Sequence, residues 1–463
     1  MKVEQIYTKC LAHGAYYITS NGEAAIIDPL REIQPYLDKL KKDDVQLKYI
    51  FETHFHADFV SGHLDLSGRT GAPIIYGPTA EPEFKAVIAE DGQVFELGDV
   101  TIKLIHTPGH TMESACFLLI DKDGKDTALF SGDSLFLGDV GRPDLAQKAT
   151  HLSKEELAGI LYESLYSKIL PLSDHIIVYP GHGEGSACGK NMMKETTDTL
   201  GNQKRTNYAL NQPDKESFIK AVTDGLLPPP GYFEMNAAMN KQGYEHFDNV
   251  LHREMKPLSI EDFKVKMVCE NVLILDSRNH NDFACGFIPG SVNIGLDGNF
   301  AQWVGALIGN VKTPVLLVTE TGKEKETVIR LGRIGFDNVS GYLDGGFDTW
   351  KNAGEKIEMI ERITPEKFVT ETVNNSKLII DVRKENEYLA GHVDGAINKP
   401  LDQISQWIPD IENNSHFYMY CQGGYRSMTA ASILKANGCH NFTEIRDGIN
   451  GIKKFTPVRY EHS

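Results

Sequence analysis

Four apolar runs in this sequence each open into a loop that carries histidine or aspartate. LKYIF leads into THFHADF, which holds His54, His56 and Asp58. His110 lies in TPGHT, Asp133 in FSGDSLF, and His182 in YPGHGEG after the run DHIIVYP. Imidazole and carboxylate are ligands for metal ions, and strand-end loops bring ligands from distant parts of a chain together. One such histidine says little, but four motifs in this order point to a metal centre. A second chemistry lies far along the chain. Cys421 opens CQGGYRS, between the apolar FYMY and the helical MTAASILKA. Gly423 and Gly424 allow successive backbone N–H groups to converge on one atom, which suits a thiolate and then a persulfide sulfur. Arg426 adds a fixed positive charge, and Gln422 and Tyr425 complete the loop.

These groups need scaffolds. Over residues 1–240, strand-like segments such as YYITSNG, EAAIIDPL, VFELGDVTIKLIHTPGHT, CFLLID and TALFSGDSLF surround the helical LREIQPYLDKLKKD. The pattern predicts two half-sheets with helices outside. Residues 205–256, with LLPPPGYF inside, read as an extended tail or linker, because prolines and a lack of periodicity place them between cores.

Beyond that stretch the chain repeats itself. Asp276, Arg278, Gly286 and Gly290 recur as Asp381, Arg383, Gly391 and Gly395, each 105 residues on. The repeat predicts two copies of one module, 257–360 and 361–463. Strands alternating with helices in each copy imply a parallel sheet covered on both faces, with sites at the C-terminal strand ends. The first copy has Thr319 where the second has Cys421, and Glu324 where the second has Arg426. A hydroxyl cannot carry persulfide sulfur, and a carboxylate repels an anionic donor. The middle module is therefore expected to be catalytically inactive.

Composition bounds the rest. The 463 residues carry a formal charge of −17, which argues against nucleic-acid or anionic-membrane surfaces. At roughly 150 residues per domain the length suggests about three domains. No apolar run is long enough for a membrane-spanning helix, and MKVEQIYTKCLAHG lacks a secretion-signal layout. Seven scattered cysteines do not form a disulfide framework, so a reducing, cytoplasmic setting is expected.

Taken together, THFHADF, TPGHT, the Gly-Asp of FSGDSLF and the Gly-His of YPGHGEG resemble the metallo-β-lactamase superfamily over nearly all of residues 1–240. That resemblance implies an αββα sandwich. The family's first motif ends in histidine, as HxHxDH, whereas Phe59 holds the sixth position here. In two-metal hydrolases that histidine serves the second metal. Phenylalanine cannot ligate, so a mononuclear site is expected rather than a di-zinc one. Two imidazoles and one carboxylate form the facial triad of non-haem Fe(II) oxygenases. The resemblance is then to the persulfide dioxygenase branch. It implies His54, His110 and Asp133 as ligands of one Fe(II), with His56, Asp58 and His182 orienting ligands or bound water. In zinc relatives the position of His56 coordinates, and that role stays open. The branch also implies substrate contacts from Arg142 in GDVGRPD, and the GEGSACGK segment places Cys188 and Lys190 along the substrate channel. Glutathione-using members carry an aromatic-containing segment where this chain has GEGSACGK, which counts against glutathione and leaves coenzyme A or another low-molecular-weight thiol open as the carrier.

CQGGYRS resembles the rhodanese active loop, Cys-x-x-x-x-Arg, which implies that Cys421 accepts sulfane sulfur and passes it on. The expected fold class is α/β: a metallo-β-lactamase sandwich over 1–240 with a tail to about 256, then an inactive rhodanese domain (257–360) and a catalytic one (361–463). This order resembles bacterial persulfide dioxygenase–sulfurtransferase fusions of sulfide detoxification. The resemblance implies a thiol persulfide and O2 as substrates, sulfite and thiosulfate as products or reactants, and a homo-oligomer, dimer or tetramer. A zinc-dependent, glyoxalase II-like thioester hydrolase fused to a sulfurtransferase is the alternative.

Overall fold

The computed structural model describes residues 1–269, 272–372, 378–411, 415–457 and 459. It divides into two compact units, Met1–Val250 with Gly332–Gly335, and Leu251–Leu331 with Phe336–Ser463.

The first unit is built on two six-stranded sheets. One runs in chain order from Lys2–Thr8 through His13–Ser20, Glu23–Ile27, Gln46–Phe51 and Ile74–Tyr76 to Val87–Ile88. The other runs in reverse order from Asp198–Thr199 through Ile177–Pro180, Asp126–Gly132, Ala115–Ile120 and Val100–His106 to Val94–Leu97. Side chains alternate across each strand, and His13–Ser20, Glu23–Ile27 and Ala115–Ile120 are covered on both faces, which explains why those segments read as apolar runs. Tyr16 and Ile18 pack inward with Phe51, Phe117 and Phe130 between the sheets. Their neighbours Ala15 and Tyr17 pack outward with Tyr36, Leu40 and Leu66, against the helices Gln34–Asp43 and His63–Thr70. On the far face Leu129 and Val178 pack with Ala158, Leu161 and Phe218. The result is the helix–sheet–sheet–helix sandwich.

The second unit holds two five-stranded parallel sheets with equivalent strand orders. In one, Leu273–Asp276 lies between Val315–Val318 and Val292–Asn293; in the other, Leu378–Asp381 lies between Phe417–Tyr420 and Ala396–Asn398. The repeat extends to atoms. Arg278 Nη2 donates to Asp276 Oδ2 at 2.6 Å and to the Gly286 carbonyl at 2.9 Å. Arg383 Nη2 does the same with Asp381 at 2.6 Å and Gly391 at 2.7 Å. Each pair closes the loop after the strand that its aspartate ends.

Residues 205–256 differ from the sequence expectation. They are not an extended tail; they carry the helices Lys215–Thr223, Phe233–Gln242 and Phe247–Glu254, following Leu200–Thr206. Phe218 and Val222 join the core. Each helix has only 7–10 residues, too short for a clear 3.6-residue pattern beside the prolines at 228–230. Among the described residues, no helix is long and apolar enough to cross a membrane.

Candidate metal and sulfur sites

The loop after Gln46–Phe51 places His54, His56 and Asp58 at one end of the sandwich, where the ends of Val100–His106, Asp126–Gly132 and Ile177–Pro180 deliver His110, Asp133 and His182. All six are buried. Ligand atoms of His54, His110 and Asp133 lie within 4.8 Å of one another, as do those of His56, Asp58 and His182. Asp133 stands between the two groups. Its Oδ2 is 3.9 Å from His54 Nε2 and 3.5 Å from His110 Nε2, while its Oδ1 is 3.6 Å from His182 Nε2. His182 Nε2 is also 3.4 Å from Asp58 Oδ2.

The first group is held in place by its outward nitrogens. His110 Nδ1–H donates to the Arg142 carbonyl at 2.9 Å. Thr53 Oγ1–H donates to Asp28 Oδ2 at 2.8 Å, so the 3.0 Å contact of Thr53 Oγ1 with His54 Nδ1 is donated by the histidine. Both rings then present Nε2 lone pairs to the centre. Gly141 makes this packing possible: a Cβ there would lie 1.9 Å from the Asp133 carbonyl oxygen and 3.0 Å from His110 Nδ1. Gly141→Ala is therefore expected to lower bound metal about tenfold with the circular-dichroism spectrum unchanged; full metal content in that variant contradicts the packing argument.

Burial sets the charge state. It pushes the His110 and His182 imidazoles down to about 4 and His54 well below its usual range. Burial likewise lifts Asp58 to about 7 and Asp133 well above the carboxylate range. Neither Asp133 oxygen accepts a hydrogen bond of ordinary geometry among the described residues. Neutral imidazoles around a carboxylate that lacks compensation form a donor set that fits a divalent metal ion, which would replace protons on the acid.

Phe59 is fully buried, with its ring 4.2 Å from His13 and 4.3 Å from His56. An apolar ring with no donor atom thus packs against His56 of the second histidine–carboxylate group. Phe59→His is expected to raise the metal content per chain; unchanged stoichiometry on metal analysis would show that position 59 does not set the count.

The substrate-side residues separate. The Cys188 thiol is buried and joins Asp133 and His182 within 4.8 Å, and burial holds it well above its usual pKa. Arg142 is at the site through its carbonyl. Its guanidinium is paired with Asp144 at 2.7 Å and donates to the Ala187 and Leu227 carbonyls. Lys190 is not brought into the cluster; its Nζ donates to the Ala221 and Asp224 carbonyls at 2.6 and 2.8 Å.

Several residues of the site were not singled out from the sequence. Asp28 follows the strand Glu23–Ile27, and its carboxylate accepts from Thr53 N at 2.7 Å. Asp28, Glu52 and His56 form another close group. EAAIIDP ends an apolar run in aspartate just as the other motifs do, so that signal was available. Asn240 comes from the supposed tail: its amide donates to the His56 and Phe59 carbonyls at 2.7 Å each and accepts from Ser61 N at 2.9 Å.

In the second unit, Cys421 is buried between the strand Phe417–Tyr420 and the helix Tyr425–Ala436. Its Sγ receives the Gly424 N–H at 3.1 Å, and Ser427 Oγ lies 3.4 Å from it while donating to Glu444 Oε1 at 2.7 Å. Gly424 has φ 107°, a conformation that favours glycine. Arg426 is held by both oxygens of Glu387 at 2.5 and 2.7 Å, so its charge is partly offset. Gln422 Nε2 donates to Asn450 Oδ1 at 2.7 Å. In the other module, Glu324 Oε1 accepts the Gly322 N–H at 3.0 Å, filling its own loop with a carboxylate.

Comparison with known proteins agrees with this division. Residues 9–182 match the metallo-beta-lactamase superfamily, and residues 259–353 and 364–455 each match the rhodanese-like domain. A hydroxyacylglutathione hydrolase of Tolumonas auensis is 32% identical over 36% of this chain; the chain spans 60% of that protein's length. The hydroxyacylglutathione hydrolase GloC of Haemophilus influenzae is 28% identical over 41% of this chain and 87% of its own. A crystal structure of a metallo-beta-lactamase from Staphylococcus aureus is 31% identical, with a TM-score of 0.67, covering 74% of this chain and 98% of that one. This chain belongs to the metallo-beta-lactamase superfamily and carries two rhodanese-like domains behind its metal-site domain.

Proposed function

We propose that the first domain is a non-haem Fe(II) persulfide dioxygenase whose product sulfite is linked, through a Cys421 persulfide, to thiosulfate. The overall first reaction is R–S–S⁻ + O2 + H2O giving R–SH, sulfite and a proton. His54, His110 and Asp133 would hold the iron, which when bound supplies the redox chemistry with O2 and charge to attract the anionic persulfide. The chain's own residues do the positioning. Thr53 and the Arg142 carbonyl fix the two imidazoles, and the buried setting keeps bulk water from the centre. In the second reaction sulfite attacks the outer sulfur of the Cys421 persulfide. The S–S bond breaks, thiosulfate leaves, and the Cys421 thiolate departs with the electron pair. The Gly424 amide stabilises that thiolate.

The observation that carries this reading is the union, in one chain, of a buried group of two histidines and one carboxylate near Phe59 with a loop that cradles a cysteine sulfur. A second reading, zinc-dependent thioester hydrolysis, draws support from the neighbouring His56–Asp58–His182 group and from relatives named as hydrolases. Anaerobic purification followed by metal analysis and a panel of substrates separates them. Iron with oxygen uptake on low-molecular-weight persulfides is expected; zinc with thioester turnover and no oxygen uptake would replace the first reading with the second.

A further inference from the structure

The module with Thr319 in place of cysteine has a use that its own loop does not reveal. Within the second unit its residues gather around the Cys421 loop. Tyr425 Oη donates to the Gly295 carbonyl at 2.8 Å, and a Cβ on Gly298 would lie 2.5 Å from the Tyr425 ring, so that contact requires glycine. Asn281 Oδ1 accepts from Arg362 Nη1 at 2.7 Å, and Arg362 Nε donates to Glu444 Oε2 at 2.7 Å. Glu444 Oε1 in turn accepts from Ser427 Oγ at 2.7 Å, the hydroxyl that contacts Cys421 Sγ. A continuous polar chain thus runs from the cysteine to position 281.

His280 lies inside this frame. A Cβ on Gly424 would sit 3.2 Å from His280 Nε2, so the imidazole packs on the residue whose amide holds the sulfur. The side chain is only 15% exposed. Its Nδ1 is buried without a hydrogen bond, 3.9 Å from Asp297 Oδ2, and no hydrogen bond to Nε2 is formed among the described residues. Three guanidinium groups around the loop are, in contrast, already paired. Arg426 is held by Glu387, Arg383 by Asp381 and Arg362 by Glu444. An anionic sulfur donor arriving at Cys421 therefore meets guanidinium groups with their own carboxylates and one imidazole nitrogen with none.

We infer that His280, supplied by the inactive module, is a substrate-binding residue of the sulfur-transfer site, donating an Nε2–H hydrogen bond to an oxygen of a thiosulfate-like sulfur oxyanion at Cys421. The inference rests on the reading of Cys421 as the sulfur acceptor. In the step it serves, the Cys421 thiolate attacks the outer sulfur of thiosulfate. A Cys421–S bond forms, the S–S bond of thiosulfate breaks, and sulfite leaves with the bonding pair. His280 holds the oxyanion end and gives up no proton in the balance.

The test uses the full chain with thiosulfate as donor. His280→Ala is expected to raise KM for thiosulfate about tenfold, as for a hydrogen bond to a charged group, with kcat within about threefold and with Cys421 alkylation by neutral iodoacetamide unchanged. His280→Gln, which keeps an N–H, should recover most of the loss. An unchanged KM in His280→Ala overturns the inference. So does an alkylation rate that falls in step with transfer, because that would mean the loop itself had moved. Cys421→Ser distinguishes the foundation: transfer surviving in that variant refutes the role of Cys421 rather than that of His280 alone.

Discussion

Replacing Asp133 with alanine is expected to empty the first domain of metal and abolish oxygen uptake on small persulfides. The loss should be at least about a thousandfold, or about 4 kcal/mol of transition-state stabilisation. Asp133 is the only carboxylate in the group with His54 and His110, and its two oxygens face imidazoles on both sides. Alanine leaves neutral nitrogens with no anion to balance a divalent cation in a buried setting. Asp133→Asn keeps the volume and removes only the charge, so it should fail in the same way. Sulfur transfer from thiosulfate serves as the internal control, since Cys421 lies in the other unit. Metal analysis, an oxygen electrode and a sulfur-transfer assay on the same preparation check all three. Full metal content in Asp133→Ala would refute the assigned ligand set.

Cys421→Ser carries the second large effect. Sulfur transfer should fall below detection, by at least about a thousandfold, because a serine hydroxyl cannot form a persulfide. Oxygen uptake should remain within about twofold of the unaltered chain, and the product should change from thiosulfate to sulfite. Serine is close to isosteric and can still receive the Gly424 amide, so loss of folding does not confuse the outcome. Thiosulfate formed from persulfide at an unchanged rate in this variant would remove Cys421 from the scheme.

Both clusters were legible in the sequence because their side chains stand in short, local motifs at the ends of apolar runs. THFHADF, TPGHT, FSGDSLF and YPGHGEG each announce a turn after a strand, and the strand alone suffices to aim the side chain. The repeat was legible for a similar reason: Asp276 with Arg278 and Asp381 with Arg383 close equivalent loops two residues apart. Residues acting over long separations were not. Asn240 reaches the His56 and Phe59 carbonyls from a short helix after a proline-rich stretch, and nothing in its neighbourhood marks a buried amide. Lys190 shows the reverse case: proximity to Cys188 in sequence suggested the pocket, yet its Nζ is satisfied by the Ala221 and Asp224 carbonyls. The position of His280 against Gly424 depends on how two copies of a module pack together, which no local pattern records.

The central claim is that two sites in one chain act on one sulfur stream, and the ratio of persulfide consumed to oxygen consumed tests it most directly. If sulfite formed at the metal takes up sulfur from Cys421, the sum is 2 R–S–S⁻ + O2 + H2O giving 2 R–SH and thiosulfate. The unaltered, iron-loaded chain should therefore use two persulfides per O2 and release thiosulfate, and Cys421→Ser should use one per O2 and release sulfite. Persulfide left untouched under oxygen, or a ratio that Cys421→Ser does not change, would contradict the account.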